Sequence, residues 1–168
     1  MHIARFRTKA RTTPTRHSFR TRRIHLRYNR MMERVTIYTD GGARNNPGPA
    51  AAGAVIMHGG EAVTEIKQYL GPQTNNWAEY EAVALALAEA KRLGLNGTPI
   101  EVRLDSKLVA EQLMGNWKIK EPTLKPQWAK VRAMMAADFP DITFTHIPRE
   151  QNKEADRLVN EALDEAGH

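Results

Sequence analysis

Extended and helical hydrophobic patterns alternate along the chain from residue 35 onward. Val35, Ile37 and Thr39 face one side of an extended segment while Thr36, Tyr38 and Asp40 face the other, so residues 35–39 read as a strand. GGARNNPGP at residues 41–49 is rich in turn formers and must reverse the chain. Residues 51–57 and 62–70 form the next two strands, with His58-Gly59-Gly60 as their hairpin connection. Residues 77–93 then switch to a helical period, with Tyr80, Val83, Ala84, Leu87 and Ala90 on one stripe and Gly94 closing the helix. A buried-type strand at 100–104 precedes a short helix at 107–114 and a helix at 124–137. A last strand at 141–147 leads through Pro148 into a final helix at 150–165. The order βββ-α-β-α-α-β-α implies an α/β fold: a five-stranded mixed sheet, made of a three-strand antiparallel meander and two parallel strands, with helices on both faces.

A chain of 168 residues, 41% hydrophobic and 26% charged, suits one globular domain. The absence of Cys excludes disulfides, thiolate zinc sites and cysteine nucleophiles. The longest apolar runs, such as residues 50–57, fall short of a membrane span. The net charge of +6 first suggests a basic surface for nucleic acid. Its distribution changes that picture. Residues 1–34 carry eleven basic side chains against one acid, a net of +10. The remainder has fourteen basic and eighteen acidic side chains, a net of −4. We therefore divide the chain into a basic extension at 1–34, expected to be disordered when free, and a folded domain at 35–168. Three readings of the extension stay open. It is a basic arm on nucleic acid, an Arg-rich organelle presequence, or translated sequence upstream of a start at Met31 or Met32. A cytoplasmic location is expected, with organelle import as the alternative. Nothing in the sequence argues for a membrane, a protein partner or an oligomer, so a monomer is expected.

Four acids are oddly placed. Asp40 ends the first strand, and Asp105 ends the fourth just before a helix. Glu79 precedes Val83 and Leu87 by four and eight residues, which puts it on the core-facing stripe. Asp156 stands three, four and seven residues before Val159, Asn160 and Leu163. Each alone suits a helix dipole or a turn. Together they would converge at one end of the sheet, where carboxylates without a cation repel and resist ionising. An all-oxygen set suits Mg²⁺ or Mn²⁺, and paired ions of this kind promote phosphodiester hydrolysis.

Four blocks carry a resemblance. YTDGGARNNPGPAAAGAV (38–55), TNNWAEYEAVALAL (74–87), LDSKLV (104–109) and HIPREQNKEADRLVN (146–160) resemble, in this order, the motifs of the type 1 ribonuclease H family. The resemblance spans about 130 residues and leaves the extension outside. It implies a ribonuclease H-like fold and a metal-dependent endoribonuclease acting on the RNA strand of RNA–DNA hybrids. The products would be 5′-phosphate and 3′-hydroxyl ends. Asp40, Glu79, Asp105 and Asp156 would bind two Mg²⁺ ions, with Mn²⁺ as a substitute. Asp40 would bridge both ions, Asp156 would complete the one that activates water, and Glu79 and Asp105 would serve the one near the leaving oxygen. The alternatives are a non-catalytic hybrid-binding module and a nuclease of the same fold acting on DNA.

The resemblance further implies substrate contacts by Gly41, Asn46, Asn75, Asn76 and Asn152, the asparagines reading 2′-hydroxyls. Gly41 would permit close backbone approach to the substrate, or simply serve a positive-φ turn, and Asn75 and Asn76 also suit a helix N-cap. The chain departs from the family twice. The long basic insertion of some members is reduced to residues 119–126, leaving Lys118, Lys120 and Lys125 as a small patch. The usual His-bearing loop is missing too, so Arg149, or less favourably His146, takes the electropositive role near the phosphate. Trp77 and Trp128 read as packing residues, Trp117 as a candidate nucleic-acid contact in a basic neighbourhood, and Met114, Met134 and Met135 as core filler.

Overall fold

The computed structural model describes residues 33–168. The basic extension expected at 1–34 therefore lies outside the described residues, apart from Glu33 and Arg34. Five strands form one sheet in the order β3-β2-β1-β4-β5. They are β1 (Val35–Ala43), β2 (Gly48–His58), β3 (Glu61–Gln73), β4 (Ile100–Leu104) and β5 (Ile142–His146). β1 pairs antiparallel with β2 and parallel with β4, so the strand order reverses beside it. β4 and β5 are parallel. This is the mixed sheet the periodicity implies.

The three meander strands run longer than their hydrophobic patterns suggest. Gly41, Gly42 and Ala43 pair with Ala52, Ala51 and Ala50. The loop of GGARNNPGP thus shrinks to residues 44–47, because backbone pairing overrides the turn propensity of its glycines.

The helices are α1 (Asn75–Arg92), α2 (Lys107–Leu113), α3 (Lys125–Asp138) and α4 (Lys153–Glu165). α1 lies against β1 and β2, with α2 and α3 packed over it. It is buried on more than the expected stripe: Ala78, Glu79, Glu81, Ala82 and Ala86 are enclosed as well as Tyr80, Val83, Ala84, Leu87 and Ala90. Its alanines allow close packing on both sides. Glu81 is enclosed with its partners, accepting from Gln127 Nε2 at 2.6 Å and Lys130 Nζ at 2.8 Å, which ties α3 to α1. The principal core lies between the sheet and these helices, around Ile37, Ile56, Leu87, Val102 and Leu104. α4 covers β2 and β3 and builds a second small core from Ala51, Val159, Ala162 and Leu163. Met114 is 42% exposed, so it is not core filler. It stands past the end of α2, beyond the last turn that reaches the core. No helix among the described residues is long and apolar enough to cross a membrane.

Candidate active site

The site sits at the carboxyl end of β4 and the adjoining stretch of β1, which runs on past it to Ala43. Here an open α/β sheet reverses its strand order and leaves a crevice. Thr39 and Leu104 are register partners, so the residues that follow them, Asp40 and Asp105, emerge side by side. α1 brings Glu79 to the same place. Its start is fixed by Thr74, whose Oγ1 accepts from Trp77 N at 3.2 Å. Thr74 is the N-cap, so the capping role open to Asn75 and Asn76 falls to their neighbour. Asp40, Glu79 and Asp105 each offer a carboxylate oxygen, and the three oxygens lie within 4.8 Å of one another. The first turn of α4 adds Asp156, which lines the same polar cleft of about 410 Å³.

The electrostatics are unfavourable as they stand. Burial, followed by the charges of Asp105 and Asp156, pushes the Asp40 carboxyl up to about 7 from its ordinary 3.8. Glu79 is pushed well above the usual carboxylate range, chiefly by burial and then by Asp40 and Asp105. The Gly41 amide hydrogen-bonds both carboxylates and acts in the opposite direction, as does Arg149. Glu79 Oε2 is buried without a hydrogen-bond partner. A buried acceptor beside two further carboxylate oxygens is the donor set of a hard divalent cation. The residues present therefore fit Mg²⁺ or Mn²⁺.

The remaining candidates divide. Asn46 Oδ1 accepts from Asn75 N at 3.0 Å, and Asn75 Oδ1 accepts from Ala43 N at 2.7 Å. These bonds clip the β1–β2 turn to the start of α1. They use the carbonyl oxygens and leave the amide N–H groups as the donors each side chain can present. Asn76 is exposed one position further on. Arg149 lines the cleft and donates to Asp156 Oδ1 at 2.7 Å. His146 is exposed at the end of β5 and is not among the residues lining the cleft.

Two expectations change. Asn152 is 1% exposed, which removes it from substrate contact. Its Nδ2 donates to Thr39 O at 2.8 Å and reaches Asp105 Oδ1 at 3.5 Å, so it fastens β1 to the β4 acid. Gly41 lines the cleft, as a buried strand residue of β1 without a positive φ, so it is not the turn glycine the sequence also allowed. A Cβ there would stand 2.2 Å from both Ala78 C and Glu79 N. Its backbone makes the close approach to α1.

The sequence reading missed Arg44 and Asn160. Arg44 lines the cleft and pairs with Asp164. Asn160 Nδ2 donates to Asp156 O at 2.9 Å and Oδ2 at 3.3 Å, a link its four-residue spacing on the helix could have signalled.

A family model described as reverse transcriptase-like matches residues 38–162. A ribonuclease HI from Halobacterium salinarum is 45% identical over 134 residues, 79% of this chain and 66% of that protein. A ribonuclease H from Alcanivorax borkumensis is 34% identical over 155 residues, 82% of this chain and 96% of that protein. LC11-RNase H1, solved in complex with an RNA/DNA hybrid, superposes with a TM-score of 0.76 at 46% identity. That match covers 80% of this chain and 99% of the other. This chain spans only 36% of each of three mycobacterial relatives that are 43% identical to it.

Proposed function

The chain belongs to the ribonuclease H family, and from that premise we propose that it is a divalent-cation-dependent endoribonuclease that hydrolyses the RNA strand of RNA–DNA hybrids. The cuts would leave 5′-phosphate and 3′-hydroxyl ends. One observation carries the reading: two buried carboxylates and a half-buried third meet, with Asp40 pushed up to about 7 and an oxygen of Glu79 unpartnered. A binding module has no use for such a cluster, which costs stability unless a cation offsets the repulsion.

Asp40, Glu79 and Asp105 would hold one ion, and Asp40 with Asp156 a second. Bound there, such ions supply a more acidic water and offset charge on the phosphodiester. The chain's own groups set the geometry. Asn152 and the Gly41 amide hold the carboxylates in place. The amide groups of Asn46, Asn75 and Asn76 are donors for 2′-hydroxyls, which distinguish RNA from DNA. Arg149 keeps its proton near neutral pH, so its part is to stabilise charge on the scissile or released phosphate.

The test is cleavage of labelled RNA–DNA hybrid, double-stranded RNA and double-stranded DNA, with and without Mg²⁺. We expect cation-dependent loss of the RNA strand of the hybrid. Cleavage of the DNA strand would overturn the substrate assignment, and binding without cleavage would favour the non-catalytic module.

The extension enters this reading through its charge. We propose that its basic residues contact phosphates beyond the reach of the −4 domain. Each phosphate contact steepens the fall of log K with log salt by about 0.9. Removing residues 1–33 should leave an active domain with a shallower salt slope for hybrid binding. An unchanged slope rejects the arm.

A further inference from the structure

Beside the carboxylate cleft, across the first turn of α1, lies a second groove of about 600 Å³. Its walls include Asn76, Leu108, Trp117, Lys118 and Lys120. Asn76 adjoins Asn75, which lines the cleft with Glu79, so groove and cleft meet at that turn. Trp117 is 46% exposed, and Lys107 Nζ stands 5.9 Å from its ring centroid. An exposed ring among three lysines offers stacking and phosphate pairing to a nucleic-acid strand.

Trp117, Lys118 and Lys120 form one wall, in a stretch without regular structure between α2 and the 3-10 turn Pro122–Leu124. Glu111 anchors their near end, its main-chain oxygen accepting from Asn116 N at 2.9 Å and Trp117 N at 3.2 Å. The next hold is a side chain. Gln112, buried in the last turn of α2, donates from Nε2 to Lys118 O at 3.3 Å. The Tyr80 hydroxyl donates to the other end of that amide, Oε1, at 2.8 Å. This fixes which end of the amide faces the loop. Gln112 O also accepts from Trp128 Nε1 at 3.3 Å, which braces the turn against α3. Tyr80 directly follows Glu79, so a buried relay runs from the helix bearing the metal-site acid to the main chain beside Trp117.

We propose that Gln112, oriented by Tyr80, is a positioning residue that holds the Trp117–Lys118 wall in register with the cleft, so that the hybrid is gripped where it is cut. The proposal rests on the hybrid-cleavage reading for its ligand. Neither residue touches the reacting atoms; Tyr80 acts through Gln112, and Gln112, which also lines the groove, acts by holding the loop.

Two variants separate the bonds. Gln112→Glu keeps an acceptor for Tyr80 and loses the donor to Lys118 O. Tyr80→Phe keeps the ring and frees the amide to turn. Each full-length variant is compared with the unmodified chain for binding of labelled hybrid in EDTA, for cleavage kinetics with Mg²⁺, and for melting temperature. We expect Gln112→Glu to raise both Kd and KM about five- to tenfold, Tyr80→Phe about two- to fivefold, and kcat to stay within about twofold in both. Adding Trp117→Ala to Gln112→Glu should weaken binding little further, because the two act through one wall. Should Gln112→Glu fold poorly, Tyr80→Phe decides. A lowered melting temperature with unchanged Kd and KM would overturn the proposal, because the relay would then be structural only. A fall in kcat at constant KM would also overturn it. If the unmodified chain binds hybrid but does not cut it, the activity reading fails and Kd alone judges the relay. If it does neither, both fail.

Discussion

Asp40→Asn is expected to abolish Mg²⁺-dependent cleavage of the hybrid and, at the same time, to make the metal-free protein more stable near neutral pH. Both effects come from one carboxyl group. The folded protein holds a proton on Asp40 up to about pH 7, whereas an unfolded chain releases it near 3.8. Between those values the folded state binds more protons, so the contribution of this group falls as pH rises through about 7 and stays low above it. The gap between about 7 and 3.8 corresponds to roughly 4 kcal/mol. Asn has nearly the same shape and no charge, so it removes the repulsion along with the ligand. Melting curves in EDTA should therefore fall from acidic to neutral pH for the unmodified chain and change less for Asp40→Asn. Added Mg²⁺ should raise the melting temperature of the unmodified chain and scarcely move that of the variant. Residual cleavage near the unmodified rate, or equal stabilisation by Mg²⁺, would remove Asp40 from the metal site.

The sequence made this much of the site legible because strand and helix faces follow local periodicity. The alternation of Val35, Ile37 and Thr39 leads to Asp40, which stands just past the pairing with β4 and not at the strand terminus expected, since β1 runs on to Ala43. The four- and eight-residue spacing to Val83 and Leu87 turns Glu79 inward. Asn152 was not legible in the same way. Its bond to Thr39 O joins positions 113 residues apart, and no local pattern marks a side chain that fastens two strands. The Tyr80–Gln112 bond spans 32 residues and hides within stretches that otherwise read as ordinary core helix. Strand length was underestimated for a related reason: glycines and alanines near residues 41–43 and 50–52 look like loop until their pairing across β1 and β2 is in place.

Gly41 combines both lessons, and Gly41→Ala should be among the most damaging single-methyl changes in the domain. From sequence, a glycine after the acid suggests a turn or room for substrate. In the fold it is a strand residue pressed against the first turns of α1, where an added Cβ would stand 2.2 Å from the backbone of Ala78 and Glu79 and 2.4 Å from Ala78 O. Backbone atoms cannot swing aside as a flexible side chain can, so strand and helix must part. The same movement would draw the Gly41 amide away from the Asp40 and Glu79 carboxylates it supports. A cost of about 3 kcal/mol is expected for overpacking of this kind, or a melting temperature lower by roughly 10 °C in a domain of this size. Mg²⁺ should also bind more weakly, because Glu79 moves with the helix. Gly42→Ala is the control: its Cβ would meet only Val159 Cγ1, at 3.4 Å, and should change melting little. Equal melting of Gly41→Ala and Gly42→Ala would mean that the contact between β1 and α1 is loose enough to absorb a methyl group. Close backbone contact would then no longer account for the position of Glu79 beside Asp40.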